Sequence, residues 1–396
     1  MTSAKIKNLT DNIKDRIQLL VVCLSHAWGG LEHVAVGDAL ECGSLGLKVS
    51  FLCAEGSPVH EYLAHRKELK VLPLSFMPRN LFDLSLRKEL HHYFAEGINF
   101  IHTHQTAYLG SILPWMWGYP HIPVFATRHI LSNHRKKNPF HRLLYKRLDL
   151  MLVVSQGIRQ NILQTHPLKE SKVKVINLGL DYNRFDPEKV NAREQRKKWD
   201  ANDNTLMIGL VGRIDPAKGQ ETFIKAAAGL MKNIRRSENL KFVIVGEETL
   251  GRTKGYLAQL KEMVSLFSLN DYFIFAGYQK NIPEIMRAFD ILVMPSRQEA
   301  FGLVSIEAMA MECPIVISSG GSAYEIVGAE QEYGLLVRPE DPFDLQKKLR
   351  FLIDNPIERA EMGHRARQFV VQHYDRNVRV LRHLELYDWG LNKRGI

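Results

Sequence analysis

The chain has 396 residues, 45% hydrophobic and 24% charged, a soluble globular composition whose length, at roughly 100–200 residues per domain, favours two domains over one. A formal charge of +10 and a pI of 9.3 point to an anionic partner, though the sign alone does not choose among nucleic acid, an acidic membrane surface and phosphorylated small molecules. No apolar run reaches bilayer-spanning length, which excludes a helical membrane protein, and the four cysteines form no Cys-x-x-Cys pair.

The opening "MTSAKIKNLTDNIKDR" is polar and mixed in charge, without signal-peptide structure. Strand-length apolar runs follow: "IQLLVVCL", "LKVSFLC", "NFIHTH", "PVFATRH", "LMLVVS" and "VKVINLG". Cys23, Cys53 and, later, Cys313 lie in or beside such runs and read as buried free thiols, hence a reducing compartment, the cytoplasm. Between the second and third runs "LFDLSLRKELHHYFAEG" has helical periodicity. After "PVFATRH" comes the basic stretch "NHRKKNPFHRLLYKRL", Asn133 to Leu148, which holds Arg135, Lys136, Lys137, Arg142, Lys146 and Arg147. Phe140, Leu143, Leu144 and Leu148 supply an apolar face at near-helical spacing. Such a helix could lie on an anionic membrane or grip a phosphorylated acceptor, or simply be solvated. No aromatic platform accompanies it, so nucleic acid is not expected.

A polar stretch from Asp181 to Asn204, with only Phe185 and Trp199 to bury, separates two domains, 1–185 and 186–370, with 371–396 as a helical tail. The second half brings "TLMIGLVG", "LKFVIVG", "YFIFAG", "DILVMPS" and "PIVISS", with the helical "GYLAQLKEMVSLFSL" among them. Eleven strands alternating with helices in two sets predict two doubly wound parallel α/β domains.

Ligands in such sheets sit beyond the carboxyl ends of strands. After "IGLV" comes "GRIDPAKGQETF". Its Lys-Gly-Gln order fails the P-loop pattern, and the chain holds no Gly-x-Gly-x-x-Gly. Arg213 and Lys218 on one strand-end loop nevertheless suit a diphosphate, the first as a planar fork and the second as a point charge. After "DILVMPS" comes "RQEAFGLVSIEAMAMECP". A helix starting at "FGLVSIE" turns the amides of Gly302 and Leu303 outward at its positive end. Glu307, flanked by Ile306, Ala308 and Met309, needs a partner that the vicinal hydroxyls of a ribose would provide. Glu299, in the loop, suits sugar hydroxyls or an Arg or Lys.

"GRIDPAKG" together with "EAFGLVSIE", two glutamates with seven residues between them, resembles the second domain of the retaining GT-B glycosyltransferases of family four. "HAWGGLEHV" looks like the family's glycine-rich first loop, "FIHTH" like its catalytic-histidine strand and "NLGLDYNRF" like its linker entry, so the likeness extends over nearly the whole chain. The resemblance implies two Rossmann-like domains facing across a cleft, with the C-terminal helix crossing back to the first, acceptor-side domain. It implies that Arg213 and Lys218 bind the donor diphosphate, assisted by amides around Phe301, Gly302 and Leu303 and by the loop of Gly29 and Gly30. Glu307 would hold the nucleotide ribose, Glu299 the transferred sugar, and His104 the donor sugar near the reacting carbon. His102 is expected to face the other side of its strand and to be structural. No Asp-x-Asp occurs, so neither metal nor cofactor is expected, and the cations would stabilise charge instead. The implied activity is sugar transfer, UDP-sugar favoured, to a hydroxyl of a lipid-linked or cell-surface glycan such as lipopolysaccharide, on the cytoplasmic side. The alternatives are a GT-B nucleotide-sugar epimerase and an inactive sugar-nucleotide-binding module.

Overall fold

Each apolar run pairs with neighbours in one of two parallel sheets in the structure, a computed structural model that describes residues 2–79, 81–232, 239–248, 253–297, 299 and 301–396. The first sheet comprises β1 (Gln18–Cys23), β2 (Lys48–Ala54), β3 (Lys70–Leu74), β4 (Phe100–Thr103), β5 (Val124–Arg128), β6 (Leu150–Val153) and β7 (Val173–Val175), in the order β3-β2-β1-β4-β5-β6-β7. The second comprises β8 (Leu206–Val211), β9 (Leu240–Val245), β10 (Phe273–Gly277), β11 (Ile291–Met294), β12 (Ile315–Ser318) and β13 (Leu335–Val337), in the order β10-β9-β8-β11-β12-β13. Strands buried on both faces explain the continuous rather than alternating apolar runs. All eleven expected strands are present; β3 and β13 are additional, and both are edges. β3 contains Pro73, which an edge tolerates, and β13 is three residues long.

Strand order reverses between β1 and β4 in the first sheet and between β8 and β11 in the second. Those reversals open crevices at the carboxyl ends of the strands. The loops leaving these four strands carry Gly29–Gly30, His104, the Arg213–Lys218 turn and the Glu299–Leu303 segment.

The chain forms two units, residues up to Gly179 together with Arg376–Ile396, and Leu180–Asp375. Tyr182 and Phe185 belong to the second unit: the Tyr182 hydroxyl donates to the Val370 carbonyl, and Arg367 donates to the Phe185 carbonyl at 3.1 Å. The helix Arg376–Arg394 completes the first unit, burying Leu384, Tyr387 and Leu391 with Phe100 and Phe125. Beside it lies a helix, Thr2–Ile13, within the stretch that reads as merely polar. Ile6 and Ile13 turn inward, and Arg16 pairs with Asp388 at 3.0 Å. In the second unit the rings of Phe242 and Phe273 stack in the core and Phe223 meets both edge-on.

All four cysteines are buried and free, and burial pushes the Cys23 and Cys53 thiols up to about 12. Among the described residues no helix is long and apolar enough to cross a membrane.

Candidate active site

In the second unit, β8 runs into a turn built by its own short polar groups. Asp215 accepts a hydrogen bond from the Ala217 amide at 2.9 Å and caps the single turn Pro216–Lys218. Gly219 then has φ +76°, and a Cβ there would sit 2.1 Å from the Pro295 carbonyl oxygen. Only glycine lets this turn lie against the loop after β11. Buried Gln220 donates to the Arg213 carbonyl at 2.8 Å, which fixes that backbone and leaves the arginine side chain exposed.

The close approach at Gly219 brings the two candidate loops together. Lys218 Nζ lies 2.9 Å from Glu299 Oε2. Of the two expected partners for Glu299, the structure supplies the cation. The helix Leu303–Ala310 starts at Gly302, φ +84°, and the amides of Phe301, Gly302 and Leu303 precede its first hydrogen bonds. The Phe301 side chain is buried against Tyr374, with ring centroids 5.5 Å apart, and Ser322 donates to its carbonyl at 2.6 Å. Only the backbone of Phe301 is therefore available to a ligand.

Glu307 stands on this helix between buried Ile306 and Ala308, itself half-buried. Desolvation pushes its carboxyl up to about 7, and the positive charge of Arg184 pulls it partly back. Arg184 is a site neighbour that the sequence does not reveal. It sits in the stretch entering the second unit, and no spacing rule links it to position 307.

In the first unit, His104 follows β4 directly and is 1% exposed. Its amide donates to the Val22 carbonyl at 2.9 Å, and its Nδ1 lies 3.2 Å from Nε2 of His129, which follows β5. Burial holds His104 well below the usual imidazole range, helped by His102 and His129. The expectation that His102 faces the opposite side is wrong. Side chains two apart on a strand share a face, and the His102 and His104 rings are 4.5 Å apart. His102 is nonetheless fully engaged, with Nδ1 2.8 Å from the Tyr387 hydroxyl and Nε2 2.7 Å from the Thr127 hydroxyl.

Gly29 caps the helix Gly30–Ser44, its amide donating to Glu32 Oε2 at 2.9 Å. A Cβ on Gly30 would meet no atom within 4 Å, so the space beside that loop is open. Gly29, Gly30 and His104 thus all lie at the first sheet's reversal, while Arg213, Lys218, Glu299, Phe301, Gly302, Leu303 and Glu307 lie at the second's.

The basic stretch is only partly helical. Asn138 caps the helix and Pro139 opens it, so it spans Pro139–Lys146, and residues 133–138, which include Arg135, Lys136 and Lys137, form the loop before it. The expected apolar face is divided: Leu144 and Leu148 are buried, whereas Phe140 is 46% and Leu143 56% exposed. Arg147 is no surface cation; it is buried, bonded to the Met116 carbonyl at 2.7 Å and to Asp149 at 3.3 Å.

Two family descriptions match in succession, Glycosyltransferase Family 4 over residues 28–184 and Glycosyl transferases group 1 over 191–369. A lipopolysaccharide core biosynthesis mannosyltransferase of Rhizobium meliloti (strain 1021) is 28% identical over 211 residues, 53% of this chain and 57% of that enzyme. This chain thus spans little more than half of that relative's length. Among solved structures, a glycosyltransferase from Rickettsia africae ESF-5 superposes with a TM-score of 0.85 at 20% identity, covering 95% of this chain and 99% of that one. Anabaena HepE in complex with UDP and glucose superposes with a TM-score of 0.76 at 20% identity, covering 94% and 99%. With both sheets, the reversal-point loops and the returning C-terminal helix in place, the chain belongs to glycosyltransferase family four, the group 1 glycosyl transferases, and has the GT-B fold.

Proposed function

We propose that this protein transfers a sugar, with retention, from a nucleotide diphosphate sugar to a glycan hydroxyl. The observation that carries this is the meeting of Lys218 and Glu299 beside the helix that presents Glu307. In the second unit Arg213 and Lys218 hold the diphosphate, and the amides of Phe301, Gly302 and Leu303 add helix-end donors. As the diphosphate departs it gathers negative charge, which these fixed groups stabilise without reorganising. Lys218 is held ready by Glu299, and the phosphate replaces that carboxylate as its partner. Glu299, so released, accepts hydrogen bonds from the sugar hydroxyls, while Glu307 takes the ribose. In the first unit His104 hydrogen-bonds the donor sugar near the reacting carbon, and Gly29 and Gly30 leave room for donor phosphate and acceptor.

UDP is the nucleotide to test first, since the HepE structure of the same fold holds UDP and glucose. For the acceptor, a lipid-linked or cell-surface glycan is favoured by the lipopolysaccharide role of the rhizobial relative and by the loop Arg135–Lys137 ahead of a helix with exposed Phe140 and Leu143. That combination suits peripheral contact with an anionic membrane from the cytoplasmic side.

The test is transfer and nucleotide binding measured in parallel across UDP-, GDP- and ADP-sugars. Arg213→Ala and Lys218→Ala should each lower the transfer rate by about two orders of magnitude or more, and activity should survive a chelator. Glu299→Ala should impair transfer with nucleoside diphosphate affinity nearly unchanged. Activity abolished by chelator and restored by a divalent metal would overturn the assignment. Conversion of donor with no sugar on any acceptor would favour the epimerase.

A further inference from the structure

From Ala126 to Leu148 the chain carries seven Lys and Arg residues and no Asp or Glu. The next acids along the chain are already taken. Asp149 meets Arg147, Lys393 and Arg394 at 3.3, 3.2 and 2.6 Å, and Glu170 meets Arg159 at 3.2 Å. Cations such as Arg135 and Arg142 are exposed, and water solvates them. Two others are half-buried. Arg128 closes β5, and three bonds fix its guanidinium: Nε to the Ile130 carbonyl at 2.7 Å, Nη1 to the Thr106 hydroxyl at 2.6 Å and Nη2 to the Leu131 carbonyl at 3.0 Å. An arginine has five N–H groups, so two remain for a further partner. Lys136 is held through its amide, which donates to the Thr165 carbonyl at 2.7 Å. Its ammonium makes no hydrogen bond or ion pair among the described residues.

The two charges share one neighbourhood. Burial, reinforced by Lys136 and Arg128, pushes buried His166 down to about 4, so that ring is neutral. Burial also lowers Lys136, and the charge of Arg128 adds to the effect. Holding two like charges out of water with no acid beside them is unfavourable, and an anion that meets both relieves it. We propose that Arg128 and Lys136 bind an anionic group, a phosphate or a carboxylate, carried by the acceptor. This rests on the transferase reading above, which places the acceptor at the first unit. Arg128 stands at the carboxyl end of β5, the end of such a sheet at which ligands sit. Arginine supplies a planar fork and lysine a point charge, the pairing that suits either anion. A bilayer surface meets exposed cations, whereas a half-buried pair fixed by the fold suits a small group on one ligand.

The experiment measures sugar binding by ligand-observed NMR at low salt, with UDP or GDP saturating so that the donor diphosphate site is filled. Glucose, mannose and galactose are each offered as the methyl glycoside, the 6-phosphate and the uronate. For at least one sugar, wild type should bind a charged form about 10- to 100-fold more tightly than the neutral one, the usual range for hydrogen bonds to a charged group. Whether the 6-phosphate or the uronate gains identifies the anion. Lys136→Met should remove most of that preference, Lys136→Arg should keep it, and Arg135→Ala should leave it unchanged. Nucleoside diphosphate affinity should be the same in all of these. Arg128→Gln should also lose the preference. Should that variant not fold for want of its loop bonds, Lys136→Met carries the test, because the Lys136 side chain makes no such bond. Wild type that binds charged forms no better than neutral ones, or Lys136→Met that keeps the preference, would overturn the proposal. If no nucleoside diphosphate binds and no sugar is transferred, the transferase reading itself is at fault.

Discussion

A carboxyl group that titrates near neutrality gives Glu307 a testable signature. Ribose hydroxyls donate hydrogen bonds, so they favour its ionised form and binding should draw its pKa down from about 7. Near pH 6.5 nucleoside diphosphate binding should then release a fraction of a proton, read as a buffer-dependent binding enthalpy in calorimetry. Glu307→Gln should bind more weakly and lose that buffer dependence; equal proton release in the variant would remove Glu307 from the ribose site. Stability follows the same group. Its folded value lies above the ordinary 4.5, so its contribution is full below pH 4.5 and is lost as pH rises through about 7. The Tm of wild type should fall across that window relative to Glu307→Gln.

At the scale of elements, the helix Pro139–Lys146 turns Phe140 and Leu143 outward and Leu144 and Tyr145 inward. Phe140 and Leu143 are exposed while Leu144 is 7% exposed, so the outward pair is not part of the core. Cations near an anionic bilayer contribute about 1 kcal/mol each within a Debye length. Wild type should therefore sediment with anionic vesicles at low salt and be released as salt rises. Neutralising Arg135, Lys136 and Lys137 should weaken this at low salt, and Phe140→Ser with Leu143→Ser should weaken it even where charge is unscreened. Indifference of wild type to anionic vesicles at low salt would end the membrane role and leave a soluble acceptor. Periodicity locates this helix but not its inner face, because that face is set by tertiary packing, in which Tyr145 of the helix meets the ring of His166 at 5.4 Å. The same limit applies to strands. Buried central strands announce themselves as long apolar runs, whereas β3 is interrupted by Pro73 and β13 is only three residues long, so both are recognised by their pairing with β2 and β12. Lys218, Glu299 and Glu307 are legible because their loops follow central strands. Arg184 is not, since it meets Glu307 through tertiary packing alone.

For the molecule as a whole, the critical joint is Arg379. It bonds Asp38 at 2.6 and 2.8 Å and the carbonyls of Ile176 and Asn177 at 3.1 and 2.9 Å. It thereby ties the C-terminal helix to the helix behind the glycine loop and to the exit of β7. Desolvation alone would raise the Asp38 carboxyl, but Arg379 and His383 hold it at about 2. Arg379→Ala would leave that carboxylate buried without its partner, a change that costs about 3–5 kcal/mol. Thermal melting should show a large loss confined to the first unit, with nucleotide-induced stabilisation of the second retained. Loss of nucleotide binding in a folded Arg379→Ala variant would contradict a role for Arg379 confined to the first unit.

The second unit is one uninterrupted stretch of chain, Leu180–Asp375, inserted into the first. During synthesis it can fold as soon as it clears the ribosome. The first unit must wait, because Arg16 meets Asp388 across 372 residues. Until then β1–β7 lack the helix that covers Phe100 and Phe125. A nascent chain therefore carries an unclosed apolar sheet through most of its translation, and chaperone demand should track the delay before residues 376–394 emerge rather than the stability of the finished protein.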